Sequence, residues 1–261
     1  MTQTQASAAR GVHTPGSCWD VQGLTATGKV RQINEDAFLV HPDTALWLVA
    51  DGMGGHTRGD LASAGIVHAF AALAPPPRLS DRVDLAEATL LDLNAEFRAL
   101  ADAAQAGITI GSTVVVLLAW GDYAVFLWVG DSRLYRWRRG RCERLTQDHS
   151  QVEELIAYGR LRRDQAESHP AANVITRAVG AADTLFVDMD YCPVEPGDRF
   201  LLCTDGLTKE VPEPAITAIL AQDRDAATLC RDLLDRALRA GGRDNVTVVV
   251  ACAHGAPGAT P

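Results

Sequence analysis

The apolar runs of this chain are bounded by acidic residues. Asp51 follows ALWLVA and precedes Gly52; Asp205 follows RFLLCT and precedes Gly206. Asp131 follows YAVFLWVG, Asp244 stands two residues before VTVVV, and Glu35-Asp36 opens DAFLV. A carboxylate at the mouth of a buried strand is costly to desolvate unless something compensates its charge. Each of these residues, taken singly, also reads as a turn or cap residue. Five such places in one chain predict strand ends that converge on one rim of the sheets. Hard divalent cations take oxygen ligands, so a carboxylate cluster without Cys suits Mg²⁺ or Mn²⁺.

The rest of the pattern predicts the frame that holds this rim. DAFLV and ALWLVA (36–40, 45–50) read as strands split by His41, Pro42 and Asp43. Residues 61–74 and 83–105 read as helices, the first ending before Pro75 and the second amphipathic. STVVVLLAW and YAVFLWVG predict a hairpin at Gly121-Asp122, and RLYRW and RCERL a second one at Arg139-Gly140. Strands at 185–192, 199–203 and 246–253 and helices at 213–221 and 225–240 complete the pattern. Strand runs and helix pairs come in blocks, which predicts an α+β sandwich and not a doubly wound parallel sheet. The expected domain is 17–253, with loose tails at 1–16 and 254–261 and a polar excursion at about 150–180.

Charge and cysteine usage narrow the function. With 33 Asp+Glu against 24 Lys+Arg the net charge is −9, which argues against general nucleic-acid binding. The Arg-rich stretch 133–144, interleaved with Tyr135 and Trp137, reads as a hairpin with a solvated basic face. Six Cys without a C-x-x-C pair read as buried free thiols in a reducing cytoplasm. The apolar run near 114–120 is too short to span a membrane, and the N-terminus lacks the apolar stretch of a secretory signal. Trp47, Trp120 and Trp128 are expected in the core. His149 and His169 lack metal-ligand spacing and read as surface or loop-packing residues, and His56 as a loop-ordering one.

The glycines of DGMGGH (51–56) allow a sharp turn that brings a carbonyl to a metal. Neither a phosphate-cradling G-x-x-x-x-G-K-[ST] loop nor an EF-hand loop is present. Arg31 stands four residues before Glu35. Arginine grips phosphate through two parallel hydrogen bonds, and on spacing alone Arg31 reads equally as a surface residue.

In order along the chain stand VRQINEDAF, LVADGMGGHTRGDLAS, GSTVVV, VGDSRLYRWRRGRCERLTQDHS, HPAANVITRAVG, PGDRFLLCTDGLT and DNVTVVV. Together, over about residues 18–252, they resemble the metal-dependent protein phosphatases of type 2C. The resemblance implies a four-layer αββα sandwich with two central antiparallel sheets and a flap at 150–180. It implies that Asp51 bridges two Mn²⁺ or Mg²⁺ ions and that the Gly52 carbonyl completes one shell. Asp205 and Asp244 would bind the other ion, and Glu35 and Asp36 would act through metal-bound water. Asp131 would help Asp205 hold a third, weaker ion, and Arg31 would bind the substrate phosphate. The implied reaction is hydrolysis of phosphoserine and phosphothreonine in proteins by attack of a metal-bridging water, opposing a bacterial serine/threonine kinase. Met53 stands where animal relatives carry a His proposed as general acid, so the leaving group would take its proton from a metal-bound water.

Three other readings fit parts of the sequence. A sigma-factor partner-switch phosphatase usually lacks the 150–180 segment. A catalytically idle binding module on the same fold would have lost metal aspartates that are all present here. A metal nuclease is opposed by the acidic charge and the single phosphate-gripping Arg.

Overall fold

The structure, a computed structural model, describes residues 3–14, 17–41, 43–54, 58–104, 108–166 and 169–255 of the 261-residue chain. In chain order its elements are β1 (Thr4–Thr14), β2 (Ser17–Ala26), β3 (Asp36–Val40), β4 (Leu46–Met53), α1 (Gly59–Ala71), α2 (Leu79–Ala103) and β5 (Gly111–Ser112). There follow β6 (Val114–Trp120), β7 (Tyr123–Val129), β8 (Arg133–Arg138), β9 (Arg141–Arg144), α3 (Gln151–Ala157) and a 3-10 turn at Arg163–Gln165. The chain continues through β10 (Asp188–Pro193), β11 (Arg199–Cys203), α4 (Asp205–Thr208), α5 (Glu213–Leu220), α6 (Ala226–Ala240) and β12 (Val246–Gly255).

The strands form two antiparallel sheets. One runs β1-β2-β12-β11-β8-β9, the other β10-β7-β6-β4-β3 with the short β5 beside β4. The expected hairpins form, pairing Trp120 with Tyr123 and Arg138 with Arg141 at their turns. Side chains alternate between the two faces of a strand. In β6, Val115, Leu117 and Ala119 enter the core between the sheets, while Val114, Val116 and Leu118 meet α1 and α2. Both faces are covered, which is why this strand is one unbroken apolar run. The inter-sheet core centres on Trp19 and Trp47, both fully buried, with ring centroids 5.0 Å apart. Outside the other sheet, α5 and α6 bury Ile216, Leu220, Leu229, Leu233 and Leu234 against β11 and β12. The result is the expected four-layer αββα sandwich. The α6 N-terminus is capped by Asp225, whose Oδ1 accepts from the Thr228 N–H at 2.9 Å.

Three expectations are corrected. Residues 4–14, expected as a loose tail, are the edge strand β1, paired with β2 from Thr4↔Ala26 to Thr14↔Ser17. Among its described side chains only Ala9 and Val12 are buried, so ladder hydrogen bonds and not apolar alternation hold it. Of the arginines of the β8–β9 hairpin, Arg139 and Arg141 are exposed as expected, but the other four are half-buried and ion-paired. Arg133 pairs with Asp148, Arg136 with Glu143, Arg138 with Glu195 and buried Asp198, and Arg144 with Asp148 and Glu153. Trp47 and Trp128 are buried as expected, but Trp120 is half-buried beneath the Arg82 guanidinium, 4.2 Å from its ring centroid. Of the six free thiols, Cys192, Cys203, Cys230 and Cys252 are buried, and Cys18 and Cys142 are half-buried. Pro42, His56 and residues 256–261 of the expected C-terminal tail lie outside the described residues. Among the described residues no helix is long and apolar enough to cross a membrane.

Candidate metal centre

Antiparallel pairing of β3 with β4 puts Asp36 directly opposite Asp51. Like charges in that position repel. The β11–β12 pair brings its own polar ends to the same place. Asp36 is buried, and its Oδ2 accepts from the Thr204 and Thr247 hydroxyls at 2.8 and 2.7 Å. Thr247 Oγ1 lies 2.6 Å from Thr25 Oγ1, which accepts from Asn34 Nδ2 at 2.9 Å. Since Thr247 donates to Asp36, it accepts from Thr25. The bonds therefore all run in one direction, Asn34 to Thr25 to Thr247 to Asp36, and each polarises the next.

Five aspartates feel one another across this rim. Burial, then Asp36, Asp205, Asp131 and Asp244 in turn, push the Asp51 carboxyl well above the usual carboxylate range. Burial raises Asp36 to about 7, the two threonine bonds opposing it and Asp205 and Asp244 adding to it. Burial raises Asp131 to about 7, with Asp205 and Asp148 adding and Lys209 opposing. Asp205 is raised by burial against the pull of Lys209. Glu35 is raised by burial, against a backbone bond from Gly59 and the Arg31 charge. Burial works against the Arg31 charge, yet its bond to Asp244 and the charges of Asp244, Glu35 and Asp51 outweigh it and raise its pKa.

Among the described residues two cationic side chains contact these carboxylates. Arg31 grips Asp244 through Nε (2.8 Å to Oδ1) and Nη2 (3.1 Å to Oδ2). The Lys209 ammonium contacts Asp205 and lies 3.6 Å from Asp244 Oδ2. The remaining excess of buried carboxylate, oxygen donors without sulfur or imidazole, fits a hard divalent cation. Among the described residues no three acidic, His or Cys side chains close a ligand shell by themselves. With Asp244 held by Arg31 and Asp205 by Lys209, the carboxylates face one space without collapsing onto one point.

The backbone around the rim is packed too tightly for side chains. A Cβ at Gly52 would lie 2.0 Å from the Gly59 carbonyl oxygen and 2.7 Å from that of Glu35. One at Gly206 would lie 1.8 Å from the Asn245 carbonyl. The Gly52 N–H and the Ser63 hydroxyl both donate to the Glu35 carbonyl, at 3.0 and 2.6 Å. Asn245 binds the loop before β3 from below, accepting from the Glu35 N–H at 2.8 Å and donating to the Thr27 and Ile33 carbonyls at 2.9 Å. On the other side Ser112 and Thr113 fasten Asp51 through its backbone carbonyl at 2.9 Å. Thr113 Oγ1 reaches Ser132 Oγ, next to Asp131, at 2.8 Å. Met53 pairs with Gly111 on β5.

From Asp131, Asp205 and Asp244 an open cleft of about 960 Å³ extends along α3, the 150–180 segment and the start of α5. The segment is anchored at both ends, by Ser150↔Ile175 and Ser112↔Val179 bridges. Ser150 caps α3, accepting from the Glu153 N–H at 3.4 Å. Glu153 in turn holds Arg163 and Arg144. His149 is buried and stacked on Trp128, a loop-packing residue as expected. Its Nδ1 accepts from the Gly130 N–H at 3.0 Å, so the proton sits on Nε2, 3.2 Å from Asp188 Oδ2. Burial lowers its pKa, against the pull of Asp188. His169 Nδ1 accepts from the Ala171 N–H inside its own turn.

Asp36, Asp51, Asp131, Asp205, Asp244, Glu35, Gly52 and Arg31 thus share one rim. The sequence reading missed Lys209, Asn245, Thr204 and Thr247. An Asp-Lys pair four residues apart was the available signal for Lys209.

Comparison with known proteins gives a consistent set. The family model described as Protein phosphatase 2C matches residues 26–246. The chain is 33% identical over 236 residues to the serine/threonine phosphatase stp of Listeria innocua, covering 87% of this chain and 92% of that one. PppA of Pseudomonas aeruginosa, a regulatory component of T6SS, superposes with a TM-score of 0.84 at 38% identity, covering 91% of this chain and 99% of PppA. The catalytic domain of the phosphatase PstP, solved in complex with two manganese ions, gives 0.75 at 30% identity, covering 97% and 98%.

Proposed function

Since the chain belongs to the protein phosphatase 2C family and is a serine/threonine protein phosphatase of the bacterial kind, we propose that its acidic rim is the catalytic centre and hydrolyses phosphoserine and phosphothreonine in protein substrates. The observation that carries this reading is the crowding of five aspartates, four of which act on Asp51, beside the Arg31 guanidinium that grips Asp244 through two nitrogens. Asp51, the Gly52 carbonyl, Asp205 and Asp244 would hold two Mn²⁺ or Mg²⁺ ions, with Glu35 and Asp36 reaching them through water. When bound, such ions supply the Lewis-acid charge that activates water and offsets charge developing on the phosphoryl group.

The chain's own residues do the rest. Thr204 and Thr247 orient Asp36 by donating to one of its oxygens, which leaves the other for a water. Asn245 fixes the loop that carries Arg31 and Glu35. Arg31 binds Asp244 through Nε and Nη2, and its planar fork has a further nitrogen for a phosphoryl oxygen. Phosphoryl transfer is largely positioning and charge stabilisation, which suits such a site. The 150–180 segment, which walls the cleft, supports opposition to a serine/threonine kinase over a partner-switch role.

The test is turnover of phosphothreonine and phosphoserine peptides with Mn²⁺, with Mg²⁺ and after exhaustive chelation. Metal-dependent release of phosphate is expected. Full activity in chelator would refute the reading.

A further inference from the structure

Lys209 has no role in the reading above, yet it stands in the middle of the rim. The helix α4 is a single turn, so Lys209, four residues after Asp205, returns to the same side of the chain. Its ammonium contacts Asp205 Oδ2 and lies 3.6 Å from Asp244 Oδ2, and it lines the cleft together with Asp131. Its side chain is 37% exposed, so most of the stem is packed and the charge is delivered from a held position.

A third cation held by Asp131 and Asp205, as the sequence resemblance implies, would have to share Asp205 with the second ion and with the Lys209 ammonium already on its Oδ2. A lysine ammonium is a compact point charge with three donors, closer to an ion than to a forked guanidinium. Such a charge on Asp205, in one cleft with Asp131, repels a third divalent ion there and meets the same electrostatic need. We propose that the Lys209 ammonium takes the place of the third divalent ion, so that this chain loads two ions and not three. The proposal rests on the metal reading of the preceding section, and Asp131 becomes a partner of the ammonium's field in place of a ligand.

The experiment counts Mn²⁺ bound per chain by titration, read from the electron paramagnetic resonance signal of the free ion. The wild-type chain is expected to saturate at two ions, and Lys209→Met at three. Lys209→Arg, which keeps the charge, should stay at two, and so should the double variant Lys209→Met with Asp131→Ala. Circular dichroism identifies any variant that fails to fold, and Lys209→Gln then replaces Lys209→Met. A wild-type count of three, or a count of two in the folded neutral variant, overturns the assignment while leaving the metal centre intact. A count of zero throughout overturns both.

Discussion

Replacing Asp36 by Asn separates stability from function at this rim. Asn keeps the shape of Asp36, and its oxygen still accepts from Thr204 and Thr247. What it removes is one of two charges that face each other across β3 and β4. The folded-state pKa of Asp36 is raised, by burial first, from 3.8 to about 7. A carboxylate shifted in this direction destabilises the fold when ionised. The penalty is absent below its unfolded pKa, grows as pH rises, and is complete above about 7. A displacement of about three pH units at 1.36 kcal/mol each makes the full penalty on the order of 4 kcal/mol. The new amide needs an acceptor of its own, which returns part of that gain. In chelator at about pH 8, Asp36→Asn should therefore be more stable than wild type by roughly 2–4 kcal/mol, a rise on the order of 5–10 °C in Tm. At about pH 4 the two should melt together. In excess Mn²⁺ the difference should shrink, because cation binding relieves the repulsion in the wild type, and the variant should lose phosphatase activity. Thermal melting at both pH values, with chelator and with Mn²⁺, reads all of this. A variant that melts at or below wild type at pH 8 in chelator would refute the charge-crowding account.

Arg31→Ala should lower kcat/KM on phosphopeptides by about 10–100-fold, mostly through KM, since a charge-assisted hydrogen bond is worth about 1.5–3 kcal/mol. Its half-exposed side chain should leave circular dichroism unchanged, and an unaltered kcat/KM would reduce it to a partner of Asp244. Asn245→Ala removes three bonds to the loop that carries Arg31 and Glu35, and should cost about 2–4 kcal/mol in urea unfolding together with weaker Mn²⁺ binding. An unchanged midpoint in urea would count against that clamp. Gly52→Ala places a Cβ 2.0 Å from the Gly59 carbonyl, and should abolish activity and cost about 1–3 kcal/mol or more, measured by activity and melting; a fully active variant would show that the backbone there yields.

The aspartates were legible in the sequence because each bounds an apolar run, and a run's period and length are local properties. The layers were legible for the same reason. VVVLLA is apolar at every position and therefore covered on both faces, and Ala86, Leu90, Leu93 and Phe97 recur at helical spacing on α2. The strand β1 was not legible, since TQASAARGVHT has no apolar alternation and depends on the partner its backbone finds. Thr247 reads as an ordinary β-former inside VTVVV. Its role as a donor to Asp36 depends on a partner 211 residues away. The ion pairs of the β8–β9 hairpin were hidden likewise, because Asp148, Glu195 and Asp198 are brought to it by loops outside the hairpin. Lys209 joins Asp205 only because the chain makes the single turn of α4 there, and DGLT carries no strong helical signal.

The bonds that organise the rim join the two ends of the chain. Thr204 to Asp36 spans 168 residues, Thr247 to Asp36 spans 211, and Arg31 to Asp244 spans 213. The last described strand, β12, lies inside its sheet, between β2 and β11. During synthesis β2, β3 and β4 leave the ribosome long before the strand that completes them. Contacts of such separation form only after a large loop has closed, and they form slowly. A partly made chain thus holds Arg31, Asp36 and Asp51 but cannot orient them. On the proposed reading of the rim, activity is expected only once β12 has docked, at the end of folding and not at its beginning.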